Sequence, residues 1–565
     1  MQSLLIETQQ YSIQPVMKST FTLLAVALIF ASCNTSPANK AANSIDKDSL
    51  LRHIETLSSD EYMGRGTGTE GEQMTVEYLV SELEAIGAEP AASDGSYIQR
   101  FPLVGQVTSN AQMSVSANGR SPFILEYGEE FMAWPANQAE VVDVQNAELV
   151  YVGYGIQAPE ENWDDFKGVD VSGKIIVVKN NDPEYSEDLF AGKTRLYYGR
   201  YSYKFEKAKE MGALGAIIIH TDATAGYGWN VVQGGWSGER FNLKGEDLEN
   251  SNTEVNAWTS EAASRLLFEE AGLNFDEQFD AADSPDFEPV ELDGVRMNVS
   301  MDAEYREIES QNVIAEIKGS DPELNDEYLV LTAHLDHLGV LVSAEGDSVY
   351  NGASDNAAGV SALLEMMEAY QEIQPILKRS VLAVLVSAEE VGLLGSQYWA
   401  ENPTVEPGKV TANINLDGMN VYGQTRDVVV VGYGRTSLSD LLVEEAQKQG
   451  RTVKPDPYPE RGYFYRSDHF NMAKVGIPAI FPNPGTEYLD KGENYLAVRD
   501  SVADANYHTL SDEINEYWDL SGAEVDTRLF FLTGFRALKA EELQTWKSGD
   551  EFEAKRLEML DRVAQ

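Results

Sequence analysis

The chain has 565 residues, a formal net charge of -51 and a pI near 4.3, with 93 Asp and Glu against 42 Lys and Arg. That length supplies more than one domain and a sizeable core. The acidity argues against nucleic acid and anionic membrane surfaces as partners, because their phosphates would repel it.

The N-terminus holds the strongest apolar stretch. Met17-Lys18 opens a run from Phe21 to Phe30 that ends in Ala31-Ser32-Cys33. A basic start, a short apolar core and small residues predict a secretory signal over residues 1–32, with Met17 as the true start. A spanning helix would need about 20 apolar residues. Cys33 is the single cysteine, so no intrachain disulfide can form. Directly after Ala-Ser, it resembles the lipidated cysteine of a bacterial lipoprotein signal. That implies a protein anchored by lipid in the bacterial cell envelope, meeting the membrane only through that anchor. Residues 33–44, rich in Asn, Ser, Ala and Pro, read as a flexible tether.

Two helices are expected over residues 45–90. Leu50, Leu51, Ile54 and Leu57 recur at helical spacing, as do Val76, Leu79, Val80, Leu83 and Ile86, and Gly87 stops the second. Between them lies the loop Arg65-Gly66-Thr67-Gly68-Thr69-Glu70-Gly71. It lacks the Gly-Lys-Ser/Thr ending of a phosphate loop.

Residues 136–290 read as an insert. Strand-like runs at Ala147–Val152, Lys174–Val178 and Gly215–Ile219 flank a helix near Tyr203–Met211, and aromatic glycine-rich loops follow. Gly173-Lys174-Ile175-Ile176-Val177-Val178, with Lys207-Ala208 and Gly212 to Ala216 downstream, resembles a protease-associated domain. That resemblance implies a module rich in β-structure, set within a host peptidase and a candidate for contact with substrate or a partner.

From 291 to 545 strands and helices alternate. Val313–Ile317, Tyr328–Thr332, Val381–Val386, Ala412–Leu416, Val428–Val431 and Ala479–Phe481 are short apolar runs suited to buried strands. Residues 360–367 and 438–446 carry helical periodicity. The fold class is α/β: a mixed, mostly parallel twisted sheet with helices on both faces. Residues 546–565 read as a solvated, mixed-charge helical tail.

Ligands in such sheets gather beyond the carboxyl ends of the strands. His334 follows Thr332, Glu389-Glu390 follow Val386, and Asp417 follows Leu416. Asp355 lies in N-G-A-S-D-N-A-A-G before a helix, and His508 in a polar loop. Two imidazoles, two aspartates and a Glu pair can hold two cations and leave one carboxylate free for proton transfer. A helix cap would explain Asp355 alone, a turn Asp417 and a solvated pair Glu389-Glu390. A bare acidic pair is nevertheless a poor ending for a Val/Leu strand. His53, His220 and His337 read as surface or satisfied core histidines. His334 differs because Asp336 follows two residues on, and a ligating imidazole needs a partner for its other nitrogen.

Across Asn312–Glu513 these strings closely resemble the zinc aminopeptidases of the M28 metallopeptidase family. The resemblance implies the zinc-exopeptidase fold, with residues 45–135 and 291–545 as the peptidase domain. It implies two Zn2+ per chain and peptide substrates. His334, Asp355 and Asp417 would hold one zinc, and Asp355, Glu390 and His508 the other. Glu389 would be the general base and Asp336 would orient His334. The bond after the bridging aspartate, here Asp355-Asn356, is often cis in such proteins. Arg466-Ser467-Asp468-His469-Phe470 also matches, with His469 lining or supporting the cleft and Tyr463 and Tyr465 shaping a substrate pocket. Ser354 stands where the family often carries Asp or Asn, and removes no ligand.

An aminopeptidase leads. A carboxypeptidase or dipeptidase of the same family would need a cation for a terminal carboxylate, with Arg461 and Arg466 nearest in sequence. A single-zinc glutaminyl cyclase would not need the full ligand set, and a non-catalytic binding ectodomain would have been expected to lose ligands.

Overall fold

The computed structural model describes residues 36–117, 121–183, 189–245, 253–341 and 347–564. The signal region and Cys33 lie outside the described residues.

The larger half is built on a mixed sheet whose centre is parallel. Strands Ser380–Val386, Tyr328–His334, Val410–Asn415 and Ala479–Asn483 run side by side in one direction. These are the apolar runs expected of strands buried on both faces. Leu329, Leu331 and Ala333 point into one core, with the helices Lys47–Leu57, Glu70–Ile86, Ala358–Glu372 and Ser521–Lys539. Val330 points into the other, beside Trp399 and Met472. Helices therefore cover both faces. Antiparallel strands border the parallel centre on both sides: Val295–Ile317 along Ser380–Val386, and Asp427–Val431 along Ala479–Asn483.

A second, six-stranded sheet forms between residues 131 and 291. Its centre, Leu149–Tyr151, Ile175–Lys179, Gly215–Ile219 and Val255–Thr259, is also parallel, with antiparallel edges at Val290–Glu291 and Phe131–Pro135. The Phe131–Pro135 edge precedes the boundary expected at 136. Two long strands, Ile98–Ala117 and Val295–Ile317, pair antiparallel along most of their length. Near Val313 they belong to the large mixed sheet. Near Met113, Val115, Val295 and Met297 they enter the insert's core. Only the last residues of Val295–Ile317 read as strand in the sequence, because Glu304–Ser310 interrupts the apolar pattern.

Two segments differ from expectation. Residues 37–44, read as tether, form a helix whose Ala38, Ala41 and Ala42 are buried. Ser36 caps it by accepting from Asn39 N–H, and small alanines allow close packing on Ser521–Lys539. The tail is helical over Glu553–Ala564 but docked, not solvated. Arg556 and Met559 are buried, and Arg556 donates to the Pro407 and Gln544 carbonyls.

Candidate metal centre

The site is assembled by strand register. His334 ends its strand level with Val386, and Thr332 lies level with Asn415. The residues that follow, Glu389-Glu390 and Leu416-Asp417, therefore emerge at the same sheet edge as His334. Asp355 comes from the loop before Ala358–Glu372, and His508 from the turn after the helix Tyr495–Asn506, at φ 55°.

Asp355 is the centre of the cluster. One of its carboxylate oxygens lies 3.2 Å from His334 Nε2, the other 3.1 Å from His508 Nε2. Asp417 lies 3.3 Å from His334 Nε2, and Glu390 lies 3.1 Å from His508 Nε2. Glu389 also brings a donor oxygen within 4.8 Å of donors from His334 and Glu390. The six residues singled out in the sequence thus converge on one place.

The electrostatics fit a cationic occupant. Burial lowers the affinity of His334 for a proton, but Glu389, Asp417 and Asp355 outweigh it and hold the imidazole well above its ordinary range. Burial likewise opposes charging of His508, yet Asp355 and Glu390 raise it to about 10. Burial, reinforced by the Asp417, Glu390 and Asp468 carboxylates, raises Glu389 well above the usual range. Asp355 resists burial through its bonds to both imidazoles and stays far below. A cluster that draws protons onto its imidazoles carries surplus negative charge, which divalent cations would neutralise with the same donors.

Supporting groups fix these donors. Asn356 Nδ2 donates to the Leu416 and His334 carbonyls, while its Oδ1 accepts from Gly418 and Gly359 N–H. Asp512 accepts from the Ser354 and Asp355 amides, both at 3.0 Å. The Asp355-Asn356 peptide bond is cis. Arg65 is 1 % exposed and donates to the carbonyls of Leu57, Leu335, Asn351 and Gly352, which ties the glycine-rich loop to the ligand loops. Gly352 is needed there: at φ +56° a Cβ would meet Asp355 O at 2.3 Å and Arg65 Nη2 at 2.5 Å.

Three residues sit otherwise than expected: Asp336, His337 and Tyr463. His334 Nδ1 faces the Asp336 carbonyl at 3.2 Å, while the Asp336 carboxylate stands off at 3.8 Å. That carboxylate instead accepts from the main-chain N–H of Glu389 and Glu390 and from Thr67 Oγ1. His337, read as a bystander, sits in the cluster with Nδ1 2.6 Å from Glu390 Oε1. His53 is a satisfied core histidine against Tyr78, and His220 packs among Tyr227, Trp229 and Trp258. Of the two roles expected for His469, lining the cleft or supporting it, the placement fits the second. This histidine is buried between Phe464 and Phe481, where burial pushes its imidazole down to about 3. Tyr465 does reach the cleft, bonding Glu551 at 2.6 Å, whereas Tyr463 lies outside it and accepts from Arg461.

The cleft in front of the cluster has a volume of about 300 Å³ and is lined by Glu389, Glu390 and His508 together with Arg200, Tyr507 and Arg466. Arg200 comes from the insert, so both halves of the chain form its walls.

Residues 312–527 match Peptidase family M28. Over these residues the chain is similar to the M28 metallopeptidases. An aminopeptidase of Pseudomonas aeruginosa (strain PAO1) is 24% identical over 82% of this chain and 75% of its own length. Aminopeptidase Y of Saccharomyces cerevisiae is 28% identical over 39% of this chain and 38% of its own. Among solved structures, the aminopeptidase from Aneurinibacillus sp. strain AM-1 covers 88% of this chain and 96% of its own at 18% identity, with a TM-score of 0.46. The M28 match encloses every predicted ligand and the general-base candidate, while Arg65 and the insert lie outside it.

Proposed function

We propose that the chain is a dinuclear zinc aminopeptidase that removes N-terminal residues from peptides. One observation carries the two-metal reading: Asp355 presents separate oxygens to His334 and His508, with Asp417 beside the first and Glu390 beside the second. His334, Asp355 and Asp417 would hold one zinc, and Asp355, Glu390 and His508 the other. When bound, the metals supply an acidified water and a polarised scissile carbonyl.

The rest falls to the chain's own side chains. Among the described residues Glu389 forms no close ion pair with His334 or His508, and burial raises the proton affinity of its carboxylate, the property by which a general base draws a proton from water. It would take the proton of the attacking water and return it to the leaving amine. The acidic cluster attracts the free α-amine of a peptide N-terminus, and the relatives named above bear the name aminopeptidase. Arg466 in the cleft favours a second reading, a carboxypeptidase or dipeptidase. Turnover of a free-amine dipeptide against its N-acetylated form separates them. The aminopeptidase reading expects the acetylated form to be nearly inert, and fails if it is the better substrate. We also assign the insert to the protease-associated class, and the chain to the cell envelope through lipid on Cys33.

A further inference from the structure

The cleft contains a second charge of opposite sign. Arg200 and Arg466 line it together with Glu389 and Glu390. Among the described residues neither guanidinium forms an ion pair, although the chain carries 93 Asp and Glu. Each is held by an aromatic ring instead: Arg466 stands 5.5 Å from the centre of Tyr463, and Arg200 5.3 Å from that of Tyr201. The buried Nε of Arg200 has no hydrogen-bond partner. Burial, and after it repulsion from Arg200, disfavours the charge on Arg466. Lys474, also in the cleft, differs: Glu206 neutralises it at 3.0 Å.

The backbone adds to this field. Arg200 is the N-cap of helix Tyr201–Glu210, whose first turn has neither an acidic residue nor a capping side chain. Tyr201 and Ser202, its first residues, line the same cleft. Helix N-termini carry partial positive charge, and guanidinium forks fit carboxylates with paired hydrogen bonds. Two arginines left without counter-charge in so acidic a chain, facing the reaction cleft, call for an anion from outside.

We propose that Arg200 and Arg466 form a carboxylate-binding subsite for the leaving portion of the substrate, with the insert supplying one of its two guanidinium groups. This rests on the aminopeptidase reading, in which the α-amine is held at the acidic cluster. The carboxylate is either the C-terminus of a dipeptide or an acidic side chain after the scissile bond.

The test uses full-length, zinc-replete protein and four substrates sharing one first residue, X. X-Gly against X-Gly-amide probes the terminal carboxylate, and X-Glu-amide against X-Gln-amide probes the side chain. The wild type should favour the anionic member of at least one pair by about tenfold or more in kcat/KM, mostly through KM, and the preference should shrink with added salt. Arg466→Gln and Arg200→Gln should each bring that ratio close to one. Arg461→Gln, outside the cleft, should keep the wild-type ratio. Which pair responds identifies the source of the carboxylate.

Calorimetric titration of the Glu389→Gln chain with the same peptides gives a readout independent of turnover. The anionic peptide should bind about tenfold more tightly, and adding Arg466→Gln should abolish the difference. Equal binding and equal turnover within both pairs would overturn the subsite, as would a preference that survives both arginine substitutions. Failure to cleave any free-amine peptide, with the binding preference intact, would instead count against the aminopeptidase reading alone.

Discussion

The carboxylate of Asp336 accepts a hydrogen bond from the main-chain N–H of Glu389 at 3.1 Å. With a longer bond from Glu390 and one from Thr67, it fixes the turn that carries the two neighbouring carboxylates. Asp336→Asn replaces one accepting oxygen with an NH2 that faces donors. Each bond lost in this buried place costs on the order of 1 to 3 kcal/mol. We expect kcat to fall by roughly 10- to 100-fold with a smaller change in KM, since Glu389 is displaced while Arg200, Arg466 and Tyr507 keep their places in the cleft. Steady-state kinetics and metal analysis on one preparation check this.

Glu389→Gln keeps the shape of the side chain and removes its basicity. Metal content should be unchanged, and kcat should fall by roughly 10²- to 10⁴-fold. Unaltered turnover would move the base role to another group.

Chelation should lower the thermal midpoint, because the metals' charge would no longer offset the buried carboxylates around Asp355. Zinc addition should restore it, with titration saturating at two ions per chain. Saturation at one ion would contradict the dinuclear reading.

Arg65→Lys tests the clamp from the glycine-rich loop. The guanidinium serves the carbonyls of Leu57, Leu335, Asn351 and Gly352, and an ammonium cannot fill the same fork. Stranding buried carbonyls predicts a loss on the order of 3 kcal/mol, read by denaturant unfolding of the chelated protein. Activity should fall as well, because two of those carbonyls belong to the Asp355 loop.

His469 gives a pH prediction away from the metals. Its folded pKa of about 3 lies below its ordinary value, so between these limits the unfolded chain binds a proton that the folded chain refuses. Stability is present above the ordinary value near 6.5 and drains as pH falls through the window, at up to roughly 1.4 kcal/mol per unit. His469→Phe should lose about 2 kcal/mol less than wild type between pH 7 and pH 4.5. Parallel denaturation curves measure the difference.

The candidate ligands His334, Glu390 and Asp417 were legible in the sequence because the parallel centre of the sheet imposes a pattern: an apolar run, then a polar residue near where it ends. Arg65, Asn356 and Asp512 carry no such pattern. They act through backbone amides and carbonyls, and a carbonyl has no residue identity to read. His337 was missed because its spacing is uninformative until Glu390 folds against it. The helices at 37–44 and 553–564 looked like linker and tail because their buried faces rest on a few alanines in the first and on an amphipathic arginine in the second.

The paired strands Ile98–Ala117 and Val295–Ile317 bear on how the protein is made. Ile98 lies opposite Val313, and roughly two hundred residues separate them along the chain. On the ribosome the first strand leaves the tunnel long before its partner exists. At about 5–20 residues per second it waits on the order of ten seconds or more with an edge unpaired. The insert's strands emerge during that interval, and its core is complete only when Val295 and Met297 join Met113 and Val115. The length of the intervening module therefore sets the earliest moment at which the large sheet can close this pair of strands.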